Sequence, residues 1–213
     1  MKKLLTFVLA LAVSSGAFAQ LGVKTGVLNS TVGGEEVDSW DCLTSLTGGV
    51  FFELALVNSL GLRTEANYMR KGSEYNEVIE DSELDYSYSG KVTIDYLGFT
   101  PMLLYEVIPG LTVEAGPEVA FRLAATDEYE SDFDSGEDDW KDFVKSTDFG
   151  VNLGLGYTFD FGLDLNARYS IGLTDWVDNQ MLSDMGAEWK NRALMFTVGY
   201  IFDIGGGVAD SED

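Results

Sequence analysis

The sequence predicts an all-β protein, an eight-stranded antiparallel up-and-down transmembrane β-barrel. From Gln20 onward, apolar and polar residues alternate with a period of two, in segments of about ten residues that suit membrane strands. Very short and long polar connections alternate between these segments. Beyond the N-terminal region, no segment has the ~18 consecutive apolar residues that a membrane helix needs. We therefore expect strands, rather than helices, to cross the membrane.

The N-terminus has the features of a secretory signal peptide. Lys2 and Lys3 precede an apolar run over residues 4–13, and Ala17 and Ala19 form the small-residue pattern at which such peptides are cut. Cleavage after Ala19 predicts three parts: a signal peptide over residues 1–19, the barrel over 20–204, and an acidic C-terminal tail over 205–213. The barrel is therefore expected to be exported.

Eight segments fit strands, and the segment 60–69 shows the alternation most clearly. There Leu62 and Ala66 face one side, whereas Arg63 and Glu65 face the other. The expected strands cover residues 20–28, 46–56, 60–69, 91–106, 111–122, 151–159, 163–171 and 194–202.

One strand departs from a simple alternation. In the segment 91–106, the pattern that fits Ile94 and Tyr96 conflicts with the one that fits Leu97 and Phe99. This conflict predicts a β-bulge near Leu97.

The connections predict the orientation of the barrel. Short turns are expected on the periplasmic side and long loops outside, which places both termini in the periplasm. The short connections fall at residues 57–59, 108–110 and 160–162, and the long ones at 29–45, 71–90, 123–146 and 173–190.

The composition excludes several classes of function. Removal of Lys2 and Lys3 leaves 11 basic against 36 acidic residues, a formal charge of −25, so nucleic acid is not expected as a partner because phosphate binding needs a basic surface. Cys42 is the only cysteine, so no internal disulfide can form. The absence of histidine excludes catalytic groups that use an imidazole base and metal sites that use imidazole ligands.

The polar faces of the strands predict a narrow interior filled by ion pairs, in which three arginines neutralise the acids. An eight-stranded barrel is just wide enough for its own side chains, so these carboxylates are not expected to be catalytic. A soluble barrel with the same charges on its exterior remains open as an alternative. The predicted interior network comprises Lys24, Arg63, Glu65, Glu114, Glu118, Arg122, Asp164 and Arg168.

A strongly acidic stretch at residues 127–142 invites a divalent cation, because nine of its sixteen residues are acidic. Asp132, Asp134 and Asp138 have the oxygen-rich spacing that Ca²⁺ favours, and Gly136 allows a tight turn. The stretch departs from the EF-hand pattern, because its glycine comes one place early and no glutamate closes the loop at position twelve. We expect a solvated acidic loop that binds Ca²⁺ or Mg²⁺ weakly, and no other cofactor.

Five segments together resemble a family of small outer-membrane β-barrel domains of Bacteroidetes, often described as porin-family or PorT-like. The resemblance covers essentially the whole exported chain. It implies a Gram-negative outer-membrane location, contact with outer-membrane lipid and with the insertion machinery, and no particular reaction. The segments are LGVKTGV at 21–27, YLGFTPMLLY at 96–105, VEAGPEV at 113–119, ARYSIGLTD at 167–175 and NRALMFTVGYIF at 191–202.

These observations favour a non-enzymatic outer-membrane barrel with long acidic extracellular loops. Its expected role is envelope integrity or the binding of an extracellular or envelope protein. Two alternatives stay open. One is a component of an outer-membrane secretion or transport assembly, and the other is a soluble periplasmic ligand-binding barrel.

Overall fold

The computed structural model describes residues 19–33, 41–57, 59–80, 85–131, 134–175 and 189–202. The predicted signal peptide, except Ala19, and the predicted acidic tail lie outside the described residues. Within the described ranges, no helix is both long and apolar enough to cross a membrane.

Eight antiparallel strands close into a ring, which confirms the predicted barrel. The ring runs β1–β2–β3–β4–β5–β7–β8–β9 and returns to β1. A ninth, short strand, β6, pairs only with β5. The strands are β1 (Ala19–Gly33), β2 (Asp41–Val57), β3 (Leu60–Glu80), β4 (Asp85–Ile108), β5 (Leu111–Ser131), β6 (Ser135–Asp139), β7 (Thr147–Thr158), β8 (Leu163–Gly172) and β9 (Lys190–Phe202).

Apolar side chains face outward around the ring and form a belt that suits lipid. In β9, Leu194, Phe196 and Val198 are exposed, whereas Met195 and Thr197 between them are buried. The buried set includes many charged side chains. A soluble barrel would show the reverse arrangement, so the soluble alternative is wrong. At the border of the belt, the outward-facing Arg70 and Asp95 form an ion pair of 2.7 Å.

One end of the barrel carries the short turns. Gly110 and Gly162 adopt positive φ angles of 83° and 92° there, a conformation that residues with a Cβ atom rarely adopt. These turns join β4 to β5 and β7 to β8. We call this the short-turn end, and the opposite end the long-connection end.

The predicted bulge near Leu97 is wrong in its position. β4 keeps one alternation throughout, with Tyr96 buried and Leu97 exposed. The irregularity lies in the partner strand, where Asp95 pairs with Ala124 and Tyr96 pairs with Arg122, so Leu123 is the extra residue. The conflict arose because Ile94 and Tyr96 are apolar residues of the interior and need no change of face.

Three of the predicted long loops are also wrong, because most of their residues are strand. In the segment 29–45, β1 continues to Gly33 and β2 begins at Asp41. β3 and β4 stay paired without interruption from Leu60–Tyr105 to Glu80–Asp85, so residues 71–90 are mainly a hairpin. β5 continues to Ser131 and then pairs with β6. A strand with polar residues on both faces has no hydrophobic alternation, so the sequence gives no periodic signal there. We call residues 72–80, 85–94, 124–131 and 135–139 the sheet extension.

Candidate functional site

The interior near the short-turn end is filled by a network of ion pairs, which we call the lower network. Arg63 Nη2 lies 3.1 Å from Asp164 Oδ1 and 2.8 Å from Glu53 Oε2. Arg168 Nη2 lies 2.8 Å from Glu114 Oε2. The members of the network are Lys24, Glu53, Arg63, Glu65, Glu114, Asp164 and Arg168.

Glu65 pairs with two cations of the lower network, Lys24 and Arg168. Its side chain is fully buried. It accepts hydrogen bonds from Arg168 at 2.6 and 2.9 Å, from Lys24 at 2.6 Å and from Asn67 at 3.0 Å. Bidentate and charge-assisted bonds of this kind are the strong ones, so Glu65 links β1, β3 and β8 across the interior.

A second polar group lies nearer the long-connection end, and we call it the upper polar group. Lys71 Nζ is 2.7 Å from Glu118 Oε1 and 3.5 Å from Asp148 Oδ2. Asn152 donates to Glu118 at 3.0 Å, and Asn191 donates to Asp148 at 3.0 Å. All five residues are buried, and the two carboxylates share a single cation, Lys71.

The structure places seven of the eight predicted interior residues in these two groups. Arg122 is the exception, since its guanidinium donates to the carbonyl oxygens of Lys141 and Val144. It therefore fixes the 3-10 helix Lys141–Phe143 instead of neutralising the carboxylates. The sequence reasoning missed Lys71 and Asp148. Lys71 continues the alternation of Arg63 and Glu65, but it fell in a segment that was predicted as a loop.

An apolar cluster covers the interior towards the long-connection end, and we call it the apolar cap. Trp140, which precedes the 3-10 helix, and Trp189, which precedes β9, pack against it. The buried members are Leu28, Val32, Met69, Val92, Ile94, Tyr96, Ala120, Ala125, Val144, Ala193 and Met195. Ion pairs and this cap together fill the described interior.

Beyond the cap, the sheet extension has an inner face that carries tyrosines. Tyr88 stacks with Tyr75 at 5.5 Å and with Tyr129 at 6.4 Å between ring centroids, and each pair is within 26° of parallel. Tyr75 and Tyr129 stand opposite Gly90 and Gly136 in the neighbouring strands. A methyl group on either glycine would clash with the tyrosine hydroxyl. The two rings therefore lie across the neighbouring strands.

A carboxylate pair lies beside the tyrosines. Asp127 stands opposite Asp138 across β5 and β6, and Tyr75 donates a 2.9 Å hydrogen bond to Asp127. Asp127 is only 7% exposed. Burial raises the pKa of Asp127 above its usual range. The hydrogen bond from Tyr75 opposes this shift, and the charge of Asp138 adds to it.

The outer face of the sheet extension and the adjoining end of β2 carry an acidic row. The row contains a single cation, Lys91, which pairs with Glu128 at 2.9 Å. A groove of about 720 Å³ is lined by this row and also by Tyr75 and Tyr129 of the inner face. Consecutive strands contribute Asp41, Glu74, Lys91, Glu128 and Glu137.

The predicted cation site falls in the hairpin that joins β5 and β6. Asp132 lies outside the described residues. Asp134 lies between the strands, where its carbonyl oxygen accepts hydrogen bonds from Ser131, while Asp138 lies within β6. In the described part of the chain, no group of three or more potential acidic or thiol ligands is arranged to hold a metal ion. The cation site stays a prediction.

The comparisons with solved structures return barrels of outer membranes. The chain is 13% identical to Ail, the attachment invasion locus protein of Yersinia pestis, with 87% of this chain and 99% of that chain covered and a TM-score of 0.49. The chain is 12% identical to Neisserial surface protein A, with 86% of this chain and 99% of that chain covered and a TM-score of 0.48. It is 15% identical to the outer membrane protein W of E. coli, with 87% of this chain and 98% of that chain covered and a TM-score of 0.39.

The family comparison covers most of the chain. No curated protein matches the sequence of this chain. The narrower resemblance to PorT-like proteins of Bacteroidetes stays a prediction. The family described as "Outer membrane protein beta-barrel domain" matches residues 13–178, and this protein therefore belongs to that family of outer-membrane β-barrels.

Proposed function

We propose that this protein is a non-enzymatic outer-membrane barrel that binds a positively charged macromolecule at the cell surface. The observation that carries the proposal is the sheet extension, which continues three barrel strands beyond the apolar belt. Its acidic residues number three in β3, one in β4, three in β5 and three in β6, and Lys91 is its only basic residue. A folded surface with this charge favours partners of opposite charge.

The filled interior supports a function outside the lumen. The side chains of the lower network and the upper polar group are almost all buried and contact each other directly. An aqueous channel normally requires a barrel of about sixteen strands. We infer that the protein conducts no solutes and that its polar interior serves to hold the strands together.

Orientation follows from the short turns. We propose that residues 1–19 direct export and are removed, that the short-turn end faces the periplasm, and that the sheet extension stands outside the cell. The apolar belt then contacts the lipid of the outer membrane. Insertion machinery that recognises the last strand is expected to act on β9.

Binding can be tested with the protein in nanodiscs of zwitterionic phosphatidylcholine, which add no net charge. The probes are fluorescent polylysine and fluorescent polyglutamate. We expect polylysine to bind, with an affinity that falls as salt rises, and polyglutamate not to bind. Failure of polylysine to bind above empty nanodiscs would contradict the proposal.

A matched pair of variants locates the binding surface. Glu128→Gln with Glu137→Gln removes two charges from the sheet extension, and we expect weaker polylysine binding. Glu106→Gln with Asp160→Asn removes two charges at the short-turn end, where we expect no comparable loss. Equal losses would show that net charge alone, and not the sheet extension, attracts the probe.

Envelope integrity is the other role that an outer-membrane barrel of this kind can serve. If this role is correct, a deletion strain should become sensitive to detergent. Equal recovery of resistance with the native protein and with the Glu128→Gln, Glu137→Gln double variant would assign the role to the barrel body. Recovery with the native protein alone would assign it to the sheet extension.

A further inference from the structure

The inner face of the sheet extension carries a row of three tyrosines, of which Tyr75 also packs against the apolar cap. The rings of Tyr75, Tyr88 and Tyr129 are stacked in sequence, and Gly90 and Gly136 provide the space across which two of them lie. Aromatic faces of this kind attract cations, because the ring carries negative charge density above and below its plane.

Beside this surface lies a buried carboxylate that has no cation. Asp127 is 7% exposed and accepts a hydrogen bond from the uncharged hydroxyl of Tyr75, and none of the ion pairs among the described residues includes it. Its neighbour across the strands is a second carboxylate, Asp138. Buried charges are normally paired, and like charges directly opposite each other destabilise a sheet. A cation from outside would compensate both effects.

We propose that the tyrosine face and the Asp127–Asp138 pair together bind an arginine side chain of a basic protein partner. The proposal rests on the proposed function and specifies the chemistry of the partner. A planar guanidinium can stack on a tyrosine ring while it donates hydrogen bonds to carboxylates. The ammonium group of lysine carries the same charge but has no planar surface that can stack on a ring. A preference for arginine over lysine would therefore indicate stacking in addition to charge.

The experiment compares nona-arginine with nona-lysine, two peptides of equal length and charge, on the protein in phosphatidylcholine nanodiscs. We expect nona-arginine to bind about fivefold more tightly, as one stacked and partly desolvated guanidinium predicts. Tyr88→Leu keeps the charge of the protein and is expected to abolish this preference. Tyr88→Phe keeps the ring and is expected to retain it.

The carboxylate is tested with a pair of neighbouring residues. Asp127→Asn and Glu128→Gln each remove one charge, but from opposite faces of β5. Asp127→Asn should lower nona-arginine affinity about tenfold and remove the preference, whereas Glu128→Gln should weaken both peptides to the same small extent. Unboiled gel mobility verifies that each variant is folded.

The outcomes separate the two proposals. If neither peptide binds the native protein, the proposed function fails. If both peptides bind equally, or if the preference for arginine survives Tyr88→Leu and Asp127→Asn, the arginine site is overturned while the binding function stands.

Discussion

Replacement of Glu65 by glutamine tests the energetic role of the interior most sharply. Glutamine has the same shape but no charge, and its amide nitrogen is a donor. Lys24 thereby loses a 2.6 Å ion pair, and Arg168 loses the charge of its bidentate partner. Both cations are buried, with side chains only 2% exposed. Removal of one partner from a buried pair costs about 3–5 kcal/mol, and we expect Glu65→Gln to destabilise the folded barrel by that amount.

The matched control is Glu128→Gln, which breaks an ion pair of similar length on the surface. The Lys91 and Glu128 side chains are 41% and 46% exposed, with 2.9 Å between the charged atoms. Exposed pairs contribute about 0–1 kcal/mol, so the free energy of unfolding should change little. Both variants can be unfolded by urea in lipid vesicles, with the emission of the four tryptophans as the signal. Two of them, Trp140 and Trp189, pack against the apolar cap and report on its loss.

A double variant separates the pair from general damage. Lys24→Met with Glu65→Gln removes both charges, so no lysine is left buried without a partner. We expect the double variant to be less destabilised than Glu65→Gln alone by about 1–3 kcal/mol. A cost for Glu65→Gln as small as that for Glu128→Gln would refute the reasoning, because it would show that water screens the interior.

Three further variants test the belt, the strand packing and the sheet extension. Leu153→Arg, at a side chain that is 50% exposed in the middle of the belt, should cost about 2–4 kcal/mol of unfolding free energy in vesicles. Asn29→Arg, at the border of the belt opposite Leu194, should cost about 0–1 kcal/mol; equal costs would contradict the position of the belt. Gly26→Ala should lower the free energy of unfolding by about 1–3 kcal/mol, because the added Cβ atom would clash with Phe196 O and lie 2.7 Å from Thr197 Cα. Gly48→Ala should lower it less in the same assay. Because burial raises the pKa of Asp127, its folded carboxyl binds a proton more readily than the unfolded one, so hydrogen-exchange protection of β5 and β6 should increase as pH falls through this raised pKa. Asp127→Asn should remove that dependence, and protection that decreases on acidification would contradict the assignment.

The barrel could be predicted because lipid on one side imposes a strict alternation. In β9 every second residue from Leu194 to Phe202 is exposed, and the sequence shows the same period. The polar side of the alternation also pointed to the residues that the structure pairs, such as Arg63 with Asp164 and Glu65 with Arg168. Pairing partners could not be predicted, since they lie on strands whose relative register the sequence does not encode locally.

The sheet extension could not be predicted for a related reason. Apart from the cap residues Val92, Ile94 and Ala125, its residues are mostly polar on both faces, so apolar periodicity disappears although the hydrogen-bonded ladder continues. The tyrosine face depends on register alone: Tyr75 and Tyr129 each stand opposite a glycine only once the strands are aligned. Arg122 was expected among the interior acids. It lies on the same face of β5 as Glu118 and pairs with the buried Tyr96, but its guanidinium turns to the 3-10 helix instead.

The position of the sheet extension outside the cell can be measured directly through the native cysteine. Cys42 is exposed and pairs with Ser73 at the long-connection end. A membrane-impermeant maleimide is expected to label Cys42 on intact cells, and Cys42→Ser to abolish labelling. In that variant, a cysteine introduced by Asp160→Cys at the short-turn end should react only after the outer membrane is permeabilised. Labelling of the Asp160→Cys site on intact cells, with Cys42 protected, would contradict the proposed orientation and the surface function with it.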